Sequence, residues 1–227
     1  MGTLRNAGLD EIYDYIMRTA SLDEVGVATK PPSMGPLSFV ELDGATRQNI
    51  MPDINEMNDI SREKARFMLD ICMLNLLRKG RSFDPSKTIC VDVHFSTLVK
   101  TAFRTRYLIV LAEFLKHSKF ELLLNIKCIR DKLHTTRISD LLRYLIPLRV
   151  DAALQISQDN ILSQDLTKIA VNNFVLTVGD LTAINDSKCR QMTMERLARL
   201  PKFNKHIIVR NAVKEPAMEP EEEAFYL

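Results

Sequence analysis

Glycine is scarce, with seven among 227 residues, and the closest two, Gly2 and Gly8, stand six apart. Loops that cradle phosphate need several glycines close together, so that backbone N–H groups can approach the oxygens. The Walker loop, the dinucleotide fingerprint and the kinase glycine loop are therefore excluded in their usual forms. A Gly-x-Ser-x-Gly elbow and a His-Glu-x-x-His pair are also missing. Few glycines also leave few sites for tight hairpin turns, which favours helices.

Cysteine is equally sparse. Cys72, Cys90, Cys128 and Cys189 are widely separated and form no Cys-x-x-Cys pair. In a chain of this length they read as reduced, buried thiols of an intracellular protein. Long apolar runs are missing too. The longest candidate, YLIVLAEFL, is interrupted by Glu113 and followed by Lys116, so no transmembrane segment is expected. The N-terminus lacks a basic region followed by an apolar one, which argues against secretion and for the cytoplasm or nucleus.

What the chain has is a lopsided charge. The total is +2, but residues 1–61 carry −6, residues 62–149 carry +10 and residues 150–227 carry −2. Between 98 and 132 eight Lys or Arg stand among long apolar stretches, against three acids. Read as amphipathic helices, such segments turn Phe103, Tyr107, Val110, Leu111 and Phe114 inward. The cationic stems then cover the apolar surface.

The pattern predicts a mainly α fold, a multi-helix globular domain with one or two short strands, at 37–43 and 203–213. Helices are expected at 8–20, 60–79, about 98–117, 119–133, 137–146, 148–157, 163–178 and 187–200. The helix at 119–133 rests on a Ser-x-x-Glu capping box at Ser118 and Glu121. Residues 88–95 alternate like a strand, yet Asp84-Pro85 reads as a helix start. With no hairpin partner nearby, helix is favoured. Pro31, Pro32 and Pro36 mark 21–36 as a loop. The organisation expected is an N-terminal helix and Pro-containing loop over 1–59, a helical core over 60–213, and an acidic tail over 214–227 read as a mobile arm.

Chemistry is thinly signalled. Cys90, Asp92 and His94 are zinc-ligand types that would share one side of a strand, but a fourth ligand is not visible, so no metal or other cofactor is expected. No catalytic residue is singled out. The function expected is therefore a non-catalytic binding or structural subunit of a larger assembly, nucleocapsid-like or matrix-like. Arg104, Arg106, Lys116, Lys127, Arg130 and Lys132 would contact a nucleic acid or an acidic protein surface. Other protein subunits, further copies of this chain among them, are the other expected partners. The alternatives are a protein-protein adaptor that does not bind nucleic acid, and a helical enzyme with a Cys/His site.

Overall fold

In this computed structural model the described residues are 9–43, 46, 59–80, 83–127, 135–177 and 186–211. Their centre is a closed seven-stranded barrel, ordered β1 to β7 around the ring. The elements are α1 (Leu9–Thr19), β1 (Leu22–Thr29), β2 (Leu37–Leu42), α2 (Asp59–Gly80), β3 (Thr88–His94), α3 (Phe95–Val99), α4 (Thr101–His117), β4 (Glu121–Lys127), α5 (Thr135–Leu145), β5 (Asp151–Gln155), α6 (Gln158–Ser163), β6 (Asn173–Thr177), α7 (Ser187–Leu197) and β7 (His206–Arg210). Strands β2 to β7 pair in parallel. β1 runs antiparallel to both neighbours, β2 and β7, and closes the ring.

The mainly helical fold is thus overturned, and the reason is local. A parallel strand is covered on both sides, so it reads as an unbroken apolar run rather than an alternating one. ELLLNIK at β4 is such a run, with Leu122 to Ile126 all buried. The expected capping box does not form. The Ser118 hydroxyl instead donates to the Phe120 carbonyl at 3.1 Å and accepts from its N–H at 3.4 Å, which turns the chain into the strand. Residues 88–95 lacked a hairpin partner because their partners, β2 and β4, are parallel neighbours remote in sequence. The helices expected at 148–157 and 163–178 give way to β5, the short α6 and β6, and the loop at 21–36 to β1. The strands at 37–43 and 203–213 are found as β2 and β7. The tail over 214–227 lies outside the described residues.

Period-two alternation separates two cores. Val25, Leu37, Phe39, Cys90, Leu123, Ala153, Val175 and Ile208 fill the barrel. Ile89, Val91, Val93, Leu122, Leu124, Ile126, Leu154, Phe174 and Leu176 face outward and join the larger core under the helices. α2 is apolar around most of its girth because it packs between α1, α4 and β3. The Phe67 and Phe103 rings stack at 4.7 Å where α2 meets α4.

Candidate functional site at the carboxyl end of the barrel

The barrel interior is apolar only part of the way. Along each parallel strand the inward positions change character as the carboxyl end approaches. Leu37 and Phe39 give way to Glu41, Cys90 to Asp92, Leu123 to Asn125 and Lys127, Ala153 to Gln155, Val175 to Thr177, and Ile208 to Arg210. Six strands thus bring charged and polar groups to one mouth, the end where strand termini and following loops build sites in barrel folds.

Arg210 is the centre of this cluster. It is 5% exposed, and its guanidinium forms ion pairs with Glu41 of β2 and, at 3.1 Å, with Asp92 of β3. The same group lies 4.8 Å from the centroid of the Phe39 ring, which forms its floor. A planar fork with several donors suits two carboxylates at once in a way that a lysine would not. Lys127, more exposed, reaches Asp92 at 3.4 Å, and the Asn125 amide donates to Asp92 at 2.7 Å. Two acids and two cations therefore neutralise one another in a partly desolvated pocket. Such pairs are held in place because separating either member would strand a buried charge.

A second network fixes the rim. Asp70 of α2 is buried and accepts three hydrogen bonds: from the His94 N–H at 3.0 Å, the His94 ring at 2.8 Å and the Thr97 hydroxyl at 2.5 Å. It pins the last residue of β3, two positions after Asp92, to the helical layer. His94 is thereby directed away from Cys90 and Asp92. No group of three or more His, Cys, Asp or Glu able to hold a metal occurs among the described residues.

Of the six cations expected to form one surface, the four among the described residues are placed differently from one another. Lys127 points into the mouth. Arg104 donates to the Leu98 and Val99 carbonyls at 3.1 and 3.2 Å, closing α3, and lies 4.3 Å over the Tyr144 ring of α5. Arg106 is exposed on α4. Lys116 pairs with Glu113 at 2.5 Å near the far end of that helix, about 18 Å along its axis from Arg104. Arg130 and Lys132 lie outside the described residues. The residues of the mouth that the charge pattern did not single out are Glu41, Asn125, Gln155, Thr177 and Arg210. Their signal was present as the break in the inward alternation, visible only once the segments are read as strands.

The three cysteines among the described residues are all held toward the protonated thiol. Burial, then the nearby Asp70, pushes the Cys72 thiol up to about 12, and burial, then Asp92, raises Cys90 well above its ordinary value. Burial and the adjacent Asp186 also raise Cys189.

No family model matches the chain, and no curated protein matches it in sequence. Solved structures do resemble it. A FimX EAL domain superposes with a TM-score of 0.58 at 15% identity, covering 90% of this chain and 85% of that one. A FimX EAL domain from Pseudomonas aeruginosa bound to c-di-GMP gives 0.54 at 15% identity, covering 94% and 88%. The PaMucR phosphodiesterase in complex with c-di-GMP gives 0.53 at 13% identity, covering 89% and 94%. The likeness is one of fold. It corrects the expectation of a non-catalytic, all-helical assembly subunit, nucleocapsid-like or matrix-like. Two of these structures hold c-di-GMP, and one of the two is a phosphodiesterase. No helix of the described residues is long and apolar enough to cross a membrane.

Proposed function

We propose that the chain is a ligand-binding barrel domain whose mouth takes a cyclic dinucleotide of the c-di-GMP class. The observation that carries this reading is the inward cluster of Glu41, Asp92, Lys127 and Arg210 at the carboxyl end of the strands. The fold likeness to c-di-GMP-bound barrels supports the choice of ligand. A phosphodiester needs charge-assisted donors, and Lys127, the less buried of the two cations, brings an ammonium group to the mouth.

Calorimetric titration of the chain with c-di-GMP tests the proposal, with and without magnesium and manganese, while chromatography of the mixture follows any opened dinucleotide. Saturable binding that Lys127→Met weakens by roughly tenfold is the result expected for a lost charge-assisted contact. No heat in any condition, or binding indifferent to Lys127, would overturn it. The chromatogram decides between a site that holds the ligand and one that also cleaves it.

A further inference from the structure

Buried polar atoms in folded proteins almost always have hydrogen-bond partners, so each exception calls for an explanation, and a cluster of them at one mouth calls for a common one. Among the described residues three buried side-chain atoms have none: Ser96 Oγ, Asn125 Oδ1 and Gln155 Oε1. They are not scattered. Ser96 lies in the first turn after β3, Asn125 near the end of β4, and Gln155 at the end of β5. All three thus fall at the carboxyl ends of three adjacent strands, in one sector of the mouth.

The orientation of Asn125 is fixed by chemistry. A carboxylate can only accept, so the atom facing Asp92 at 2.7 Å is the amide nitrogen, and the oxygen turned away is an acceptor. Asn125 is fully buried inside the barrel. By register β4 and β5 pair Asn125 with Ala153 and Ile126 with Leu154, which sets Gln155 beside Lys127 one step closer to the opening. The sector over β7 and β2 is closed by the Arg210 ion pairs, whereas the sector over β4 and β5 offers two buried amide oxygens that no protein group donates to.

From this we infer that Asn125 and Gln155 are specificity-determining residues: their amide oxygens receive hydrogen-bond donors of the ligand, and its donor-bearing part seats over β3 to β5. The inference rests on the reading of the mouth as a cyclic-dinucleotide site and adds how that ligand is oriented. Phosphate oxygens, which only accept, are turned away from these two amides and toward Lys127. The donors that fit are the imino and amino groups of a purine edge or the ribose hydroxyl, which share the same chemistry.

The experiment compares wild type, Gln155→Met and Gln155→Glu for affinity toward c-di-GMP, its inosine counterpart without the exocyclic amino group, and its 2′-fluoro counterpart without the hydroxyl. Methionine keeps the length and removes the acceptor; glutamate keeps acceptors and removes the donor. The expected result is that Gln155→Met binds c-di-GMP about tenfold more weakly while Gln155→Glu stays within about threefold of wild type. The loss should vanish for the analogue that lacks the responsible donor, which identifies base or sugar. Equal affinity of all three proteins would overturn the inference, as would a greater loss for Gln155→Glu, since that outcome makes the amide a donor to phosphate.

A second readout, the side-chain amide NMR signals of Asn125 and Gln155 in the unsubstituted protein, is followed on adding c-di-GMP and then guanosine or adenosine. Movement with the nucleosides alone would sink the dinucleotide reading and keep the acceptor role. Stillness with every probe would sink both.

Discussion

Asp43, the first residue after β2, shows how one side chain ties the barrel's edge together. Its carboxylate accepts from the Ser21 N–H and the Thr46 N–H, both at 2.9 Å, and from the Thr46 hydroxyl at 2.5 Å. Burial raises its pKa, but these hydrogen bonds outweigh burial and leave it lowered to about 2. A folded value below the unfolded one means stabilisation present at neutral pH and lost as acid is added. The loss runs from about pH 4 down to about pH 2. Asp43→Asn is expected to flatten the acid limb of a urea-midpoint titration and to cost roughly 1 kcal/mol at neutral pH, screening by solvent included. An unchanged acid limb would remove Asp43 from the account. At this scale much of the sequence was ambiguous because one residue type serves several ends. Arg104 is as cationic as Lys127, yet it caps α3 and stacks on Tyr144, whereas Lys127 enters the mouth. Nothing in the local pattern distinguishes them; only the strand or helix beneath each does.

Elements were legible where the environment is one-sided. α1, α4, α5 and α7 each have a solvent face, so their apolar stripes announce them, and β2 and β7 were read from short apolar runs. Strands β4, β5 and β6 were hidden because both their faces are covered, which leaves length as the only cue, whereas β3 alternated and was set aside for want of a hairpin partner. Ser118 and Glu121 compounded this by imitating a helix start at a strand entrance. Structure adds a joint that no spacing would reveal: Asp70, mid-way along α2, gripping the end of β3. Asp70→Ala removes an acceptor from three donors in a buried setting and is expected to destabilise the chain by about 3 kcal/mol. Native-state hydrogen exchange should show the added opening at β3 and α3. Uniform acceleration over the whole barrel would instead indicate that the joint has no local role.

For the whole molecule, the closed barrel separates stability from function along its axis. At the amino end Lys205, just before β7, is buried and donates to the Ile169 and Val171 carbonyls at 2.6 and 2.7 Å, clasping the approach to β6. Lys205→Met is expected to cost about 1–3 kcal/mol by leaving buried carbonyls unpaired, with ligand affinity unchanged. The basic middle of the sequence, its most visible global feature, is spread over several places among the described residues. Its cations are divided among the mouth, the α3 cap and the outer helix faces. The division follows from where each cation sits: Lys127 is at an inward position of β4, while Arg104 and Lys116 stand near opposite ends of α4.

The central claim is that the chain's chemistry lies inside the carboxyl mouth rather than on its helical exterior. Backbone amide NMR during a c-di-GMP titration addresses it directly. The account predicts shifts concentrated at the ends of β2 to β7, around Glu41, Asp92, Asn125, Lys127, Gln155 and Arg210. Shifts running instead along the exposed face of α4 through Arg106 and Lys116, with the mouth unmoved, would contradict it.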